Sequence, residues 1–395
     1  MLRTFFRSVL GARTALFAAL ALSLLACSDE KKADRATQDC AHLPALEFSK
    51  NLKIGDSCGT RMAEIRSIVG RDTLIRHFSP EKAPSRVVAL SSAQIGYLLR
   101  LGLGDRIVGV GEGKYIADSA LYARVQEGKV AEVGNGPTLS IEKLMALKPD
   151  LVMNFATGAG YDDYERIESL GLPLMLTSEW QEEHPLAKAE WIKLYGMLFG
   201  VNALADSIYE QSKVAYNAAR DPSLPTVTQD DTIPHSTLHF PHSSCPRVIV
   251  GMSYGGTWFA PGGQSYTARL IKDAGGCYLW ASDSSRELRF SLEQIIALAD
   301  SADIWINPGM FSTAEEILAE EPRVSVIKAF KEKQVYQNDN RKGPGGGNDF
   351  YESAVTYPGE LLKEMSQFFG QKADSTKNGS PDSVSPRWYR NIFNF

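Results

Sequence analysis

Two glutamates stand in the same place in two copies of one short pattern. Ser140-Ile-Glu-Lys-Leu-Met-Ala-Leu147 matches Ser291-Leu-Glu-Gln-Ile-Ile-Ala-Leu298 in type at nearly every position, which makes Glu142 and Glu293 counterparts. Each copy leads to an aspartate, three apolar residues and an asparagine: Asp150 to Asn154, and Asp303 to Asn307. Two readings of the glutamates stand side by side. Ser140 and Ser291 are natural N-caps, Ser291 with Gln294 fits a capping box, and the helix dipole favours a first-turn acid by roughly 0.3–1 kcal/mol. On that reading the acids need no function. Alternatively each half presents one exposed carboxylate, and the pair engages two basic sites on a partner, fixing orientation and encounter rate more than affinity.

A second group of residues could line a ligand cleft. Ser91, Gln94, Tyr115, Phe155, Trp180, Tyr254, Trp258, Arg341 and Tyr351 sit after segments that read as strands. Large aromatics suit a broad, partly apolar ligand, and an arginine pairs with carboxylates or phosphates. Core packing is the competing reading for Trp180 and Trp258. Gly343-Pro-Gly-Gly-Gly-Asn348 resembles a phosphate-cradling loop in composition, lacks the Lys-Ser/Thr ending of a P-loop, and reads as a flexible lip. His235, His239 and His242 cluster in a Pro/Ser-rich loop without a rigid scaffold, and the remaining histidines are His42, His77 and His184. No dedicated metal site and no protein cofactor are expected, so a metal would arrive as a chelate. Neither a nucleophile–base–orienter set nor an HExxH motif is visible, and no enzyme is expected.

These residues need elements to position them. From Arg86, short β-rich runs alternate with helical segments: Val87 to Leu90, then a helix from Ala93 to Leu101, then Ile107 to Val110. A helix from Ile141 to Leu147 precedes strands at Leu151 to Met153 and Leu174 to Leu176. Alternation of this kind predicts a parallel sheet wrapped by helices. A helical stretch from Pro185 to Arg220, broken around Gly200, offers Ala203, Ile208, Val214 and Ala215 as an apolar face. Strand-like runs resume at Val248 to Val250, Thr257 to Phe259, Ile304 to Ile306 and Gln334 to Tyr336. The expected fold is α/β: two Rossmann-like lobes, each a parallel sheet flanked by helices, joined by one long helix, with a small β-rich N-terminal extension. Ligands in open α/β sheets gather beyond the carboxyl ends of strands, so two facing lobes would enclose a site.

The expected spans are 1–26 signal peptide, 27–38 tether, 39–83 extension, 84–184 N-terminal lobe, 185–220 inter-lobe helical segment, 221–246 exposed loop, 247–370 C-terminal lobe and 371–395 polar tail. Arg3, Arg7 and Arg13 lead into an apolar run ending at Cys27, the pattern of an export signal. A 44% hydrophobic and 10% aromatic composition suits packed cores, and a net charge of −5 offers no footprint for nucleic acid. Cys40, Cys58, Cys245 and Cys277 allow three pairings in an oxidising compartment; Cys40 with Cys58 and Cys245 with Cys277 is the local choice.

Leu24-Leu25-Ala26-Cys27 resembles the lipobox of bacterial lipoproteins, in which the cysteine is lipidated and begins the mature chain; Leu25 departs from the small or polar residue usual there. Ser140 to Met153, reading SIEKLMALKPDLVM, resembles the N-lobe hallmark of class III ABC substrate-binding proteins, the family of the vitamin B12- and ferric hydroxamate-binding proteins. Leu101 to Val110, Ser265 to Tyr278 with Asp273-Ala-Gly-Gly276, and Asn348 to Ser353 followed by Pro358 match further family segments. The resemblance covers roughly 84–370. It implies two lobes on a rigid helix, an ABC permease as partner, and docking of Glu142 and Glu293 onto permease arginines. It implies capture of an iron-siderophore, haem or cobalamin-type chelate by a monomer anchored through lipid in the cell envelope, on its periplasmic face or the cell surface. The extension and the 221–246 loop depart from compact family members. Two other functions are carried beside this one: a surface-displayed metallo-ligand capture lipoprotein, for which Ser28-Asp29-Glu30 resembles a surface-export signal, and a chelatase-like enzyme.

Overall fold

The computed structural model describes residues 43–57, 59–160, 162–220, 245–283, 287–370 and 386–394. The signal, the tether, Cys27, Cys40, Cys58 and the three clustered histidines lie outside the described residues. No helix among the described residues is long and apolar enough to cross a membrane.

The described chain opens on an antiparallel meander of β1 (Leu52–Ser57), β2 (Thr60–Val69) and β3 (Asp72–Phe78). Along β2, Ala63, Ile65 and Ser67 are buried and the residues between them face outward, the period of two expected where a sheet covers one face. Two buried carboxylates pin this extension. Glu190 accepts the backbone N–H groups of Glu47, Phe48 and Ser49 at 2.9 Å each, and Glu182 accepts those of Lys50 and Asn51 together with Trp191 Nε1. At the β2–β3 tip, Gly70 meets Gly158 backbone to backbone. Gly158 has φ +85, and a Cβ there would lie 2.0 Å from the Gly70 nitrogen.

The N-terminal lobe contains β4 (Val87–Ala89), β5 (Ile107–Val110), β6 (Ala131–Glu132), β7 (Leu151–Asn154) and β8 (Leu174–Leu176), all parallel, in the order β6-β5-β4-β7-β8. Every residue of β4 and β7 is buried, as in sheets covered on both faces. The C-terminal lobe contains β9 (Arg247–Val250), β10 (Met252–Tyr254), β11 (Thr257–Pro261), β12 (Cys277–Tyr278), β13 (Glu287–Ser291), β14 (Ile304–Ile306), β15 (Val335–Gln337) and β16 (Arg390–Asn391). Its main sheet runs β12-β9-β14-β15-β16, and β10-β11-β13 form a small antiparallel sheet beside it. A disulfide joins Cys245, just before β9, to Cys277, the first residue of β12. The expected fold class, two α/β lobes with a β-rich extension, is the one found.

The linker is a run of helices, Pro185–Glu190, Ile192–Phe199 and Asn202–Ala219. Gly200 ends the second with φ 71, a left-handed cap that glycine adopts without a Cβ penalty. In the third, Ala205, Ile208, Tyr209, Ser212 and Tyr216 face inward. Ala203, Val214 and Ala215, expected on the apolar face, are exposed instead, because the spacing of the tyrosines and Ile208 sets a different stripe. The linker ends in an anchor to the C-terminal lobe, where buried Asp273 accepts from Tyr216 Oη, Arg220 Nε and Arg269 Nε.

Two expectations need correction. The stretch read as a polar tail folds back over 386–394: β16 pairs antiparallel with β15, and Trp388, Tyr389 and Ile392 are buried. The apolar Trp-Tyr and Ile-Phe pairs at its end supply the burial, and the Glu364 carboxylate accepts the N–H groups of Arg387, Trp388 and Tyr389. The glycine-rich segment read as a flexible lip is a packed seam between the lobes. A Cβ on Gly343 or Gly347 would lie within 2.6 Å of the Tyr115–Ala117 backbone, and one on Gly96 would strike the Glu352 carbonyl. Glycine permits this approach because nothing else fits. Across the same seam the Glu352 carboxylate accepts the N–H groups of Ala117 and Asp118 at 2.9 Å each.

Candidate functional site

The carboxyl ends of the N-lobe strands open onto a cavity of about 210 Å3. It is lined by Leu90, Ser91 and Ser92 after β4, Gly111, Glu112, Tyr115 and Ile116 after β5, Asn135 after β6 and Phe155 after β7. The strand order reverses direction between β4 and β7, and a sheet leaves its crevice at such a switch point.

The wall is held from behind. Ser91 caps the helix Ser92–Arg100 in a reciprocal box with Gln94. The fully buried Gln94 side chain accepts from Leu90 N and Ser91 N and donates to Asn154 O and Thr177 Oγ1. Gln94 was expected in the cleft; it is instead a brace tying the ends of β4, β7 and β8 together, because a buried amide must spend its donors and acceptor on protein. Asn154 Oδ1 accepts Phe155 N–H, and Asp162 accepts Thr157 N, Gly158 N and Thr157 Oγ1, which fixes the loop carrying Phe155. Asn135 Nδ2 donates to Leu90 O. Tyr115 is 57% exposed, with Lys114 Nζ 4.8 Å from its ring centroid and Lys114 paired to Glu112.

Of the cleft residues expected from sequence, Ser91, Tyr115 and Phe155 come together here. Trp258 does not. It is fully buried, donates Nε1–H to Val250 O and packs 5.3 Å from Trp305, so it belongs to the C-lobe core. Trp180 is 42% exposed, lies outside the cavity lining, and sits beside Gln181, which binds Ile68 of the extension through both N–H and carbonyl. Tyr254 stacks on Phe311 in the C-terminal lobe, and Tyr351 stands exposed on the helix Asp349–Glu352. Arg341 lines a separate polar cavity of about 160 Å3 at the seam, with Arg100, Asp118, Asp349, Glu352 and Arg387. There burial pushes the Glu352 carboxyl up to about 7, against the two N–H groups it accepts. Sequence reasoning missed Glu112, Asn135 and Ile116; the Gly111-Glu112-Gly113 run directly after β5 was the signal available.

Glu142 and Glu293 both stand in the first turn of their helices, behind capping Ser140 and Ser291. Their surroundings differ. Glu142 is exposed and has no ion pair among the described residues. Glu293 Oε1 meets Arg323 Nη1 at 3.1 Å, and Glu321 grips the same guanidinium through both oxygens. Hydrogen bonds from its own backbone and from Ser291, then the Arg323 charge, hold the Glu293 carboxyl below its ordinary range.

A family model described as periplasmic binding protein matches residues 87–341. An uncharacterized lipoprotein of Methanocaldococcus jannaschii is 20% identical over 262 residues, covering 64% of this chain and 59% of that protein. An uncharacterized ABC transporter substrate-binding lipoprotein of Bacillus subtilis is 25% identical over 160 residues, 40% of this chain and 48% of that one. The chain thus spans about half the length of the curated relatives it matches. A solved periplasmic heme-binding protein from Roseiflexus sp. RS-1, in apo form, superposes with a TM-score of 0.53 at 19% identity, over 73% of this chain and 99% of that one. That likeness is one of fold.

Proposed function

Because the chain belongs to the periplasmic binding protein family, we propose that it is the solute-binding component of an ABC importer, acting by capture and delivery rather than turnover. Its cargo on this reading is a metal chelate of the siderophore, haem or corrinoid class. It presents that cargo to a permease through Glu142 and Glu293 while a lipid on Cys27 keeps it at the cell envelope.

The observation that carries the reading is the cavity at the N-lobe switch point. It sets Tyr115, Phe155, Ile95 and Ile116 against Ser91, Glu112 and Asn135. An apolar wall with a few convergent polar groups suits a broad ligand with a polar rim. The docking role is supported by placement: each lobe offers one exposed carboxylate at the same turn of the same unit. Charged pairs so separated fix orientation and speed encounter.

Calorimetric titration of the folded protein with haemin, cyanocobalamin and ferric hydroxamates tests the cargo. Saturable one-to-one binding of one class is expected; failure of all of them to bind folded protein would remove the chelate assignment. Docking is tested separately in proteoliposomes holding the cognate permease. Glu142→Arg should leave chelate affinity unchanged and lower uptake at least tenfold; unchanged uptake would leave Glu142 as a helix-end residue only.

A further inference from the structure

We propose that Met310 is a ligand-contact residue, the C-terminal lobe's apolar counterpart to Phe155, lying against an apolar face of the bound chelate. The assignment rests on the chelate-receptor reading above.

Single exposed apolar side chains are ordinary on protein surfaces. Met310 differs in how it is held. Met310 is 87% exposed, the highest value among the large exposed apolar residues described, yet its backbone is fixed on both sides. Met310 N–H donates to Tyr254 Oη at 3.2 Å, and buried Gln337 donates Nε2–H to both Gly309 O and Phe311 O, at 3.0 and 2.8 Å. Gly309 has φ +65, and the place of its missing Cβ is filled by the Tyr254 hydroxyl. Phe311 stacks on the Tyr254 ring. A rigid platform therefore projects one unbranched thioether into solvent, a side chain whose adaptability and polarizability suit irregular apolar and aromatic faces.

Its place in the fold points the same way. Met310 follows β14, which neighbours β9 where the C-lobe strand order reverses, and ligands gather at that kind of crevice. Asn307, the last residue of the repeated pattern, is the counterpart of Asn154, and the chain just beyond Asn154 delivers Phe155 to the cavity. Two residues on, Ser312 bonds Asp339 and Lys342, and the next residue, Gly343, packs on the Ile116–Ala117 backbone beside Tyr115. The Met310 loop is thus tied, through Ser312 and Lys342, to the segment that packs on the Ile116–Ala117 part of the N-lobe wall.

The test uses the full chain and the probes haemin, cyanocobalamin and a ferric hydroxamate. For a probe that the unaltered protein binds, Met310→Ala should weaken binding by about tenfold and Met310→Glu by more, while Met310→Leu stays within about twofold. Melting temperatures should not move, since the side chain packs in no core. Bound probe should also slow peroxide oxidation of Met310 relative to Met145, read by peptide mass spectrometry. An Ala variant that binds like the parent, with Met310 oxidised equally fast in bound and free protein, would overturn the assignment and leave the receptor reading intact. Absence of binding to every probe by the unaltered protein overturns both, and is seen before any substitution is made.

Discussion

The two lobes repeat one helix–strand unit, and its positions behave differently. The aspartates do the same task twice. Asp150 accepts from Ser85 N, Ser85 Oγ and Arg86 N, just ahead of β4; Asp303 accepts from the Arg247 N–H that opens β9, and from Lys328 Nζ. Each ties the lobe's first strand to the strand that begins after the repeated helix. The glutamates, facing solvent, share a position but not an environment: one has no ion pair among the described residues, the other sits in an Arg323–Glu321 clamp. The repeat thus specifies backbone closure tightly and surface chemistry loosely.

The largest effect that could break this picture lies in the C-lobe core. Trp258→Ala should lower stability by about 3–5 kcal/mol in chemical denaturation, whereas Phe155→Ala should leave stability nearly intact and weaken chelate binding. The reverse pattern would exchange their roles. Next, Asp150→Ala and Asp303→Ala should each lower stability by about 1–3 kcal/mol through stranded N–H groups; strongly unequal losses would end the claim that the two are one device.

A pH effect sharpens the same claim. Burial alone would raise both aspartates, but hydrogen bonds from Ser85 and Arg86, and from Lys328 and Arg247, hold them below the ordinary carboxylate range. Their contribution is therefore complete above the unfolded pKa of about 4 and lost as pH falls through the lower folded values. Asp150→Asn and Asp303→Asn should each flatten the acid limb of the stability curve; an unaltered limb would contradict the hydrogen-bond account. The smallest effect is expected at the surface. Arg323→Ala should not measurably shift the denaturation midpoint, because an exposed pair contributes little. In uptake assays it should make charge reversal at Glu293 as damaging as at Glu142; a persisting difference would show that Arg323 is not what separates them.

Much of the fold was legible because alternating strands and helices leave a clear period, and because the repeat marked one unit in each half. The cleft was legible only in part. Ser91, Tyr115 and Phe155 could be placed by the rule that sites follow strand ends. The same rule misassigned Gln94 and Trp258, since position after a strand does not say whether a side chain turns to solvent or into the core. Trp258 lies within β11, whose alternation buries it between the half-exposed Thr257 and Phe259. Asn135 was hidden because β6 is two residues long and carries no periodic signal. The glycine run was misread because composition reports backbone freedom, while only tertiary contact reveals that the freedom is used for close approach.

That seam has a mechanical consequence. Opening the lobes would separate Glu352 from the N–H groups of Ala117 and Asp118 and pull glycine backbones away from the chain they touch. Because these contacts would be lost on opening, the seam itself opposes separation of the lobes. On the proposed function, the work of emptying the receptor must come from the ATP-driven machine on which it docks.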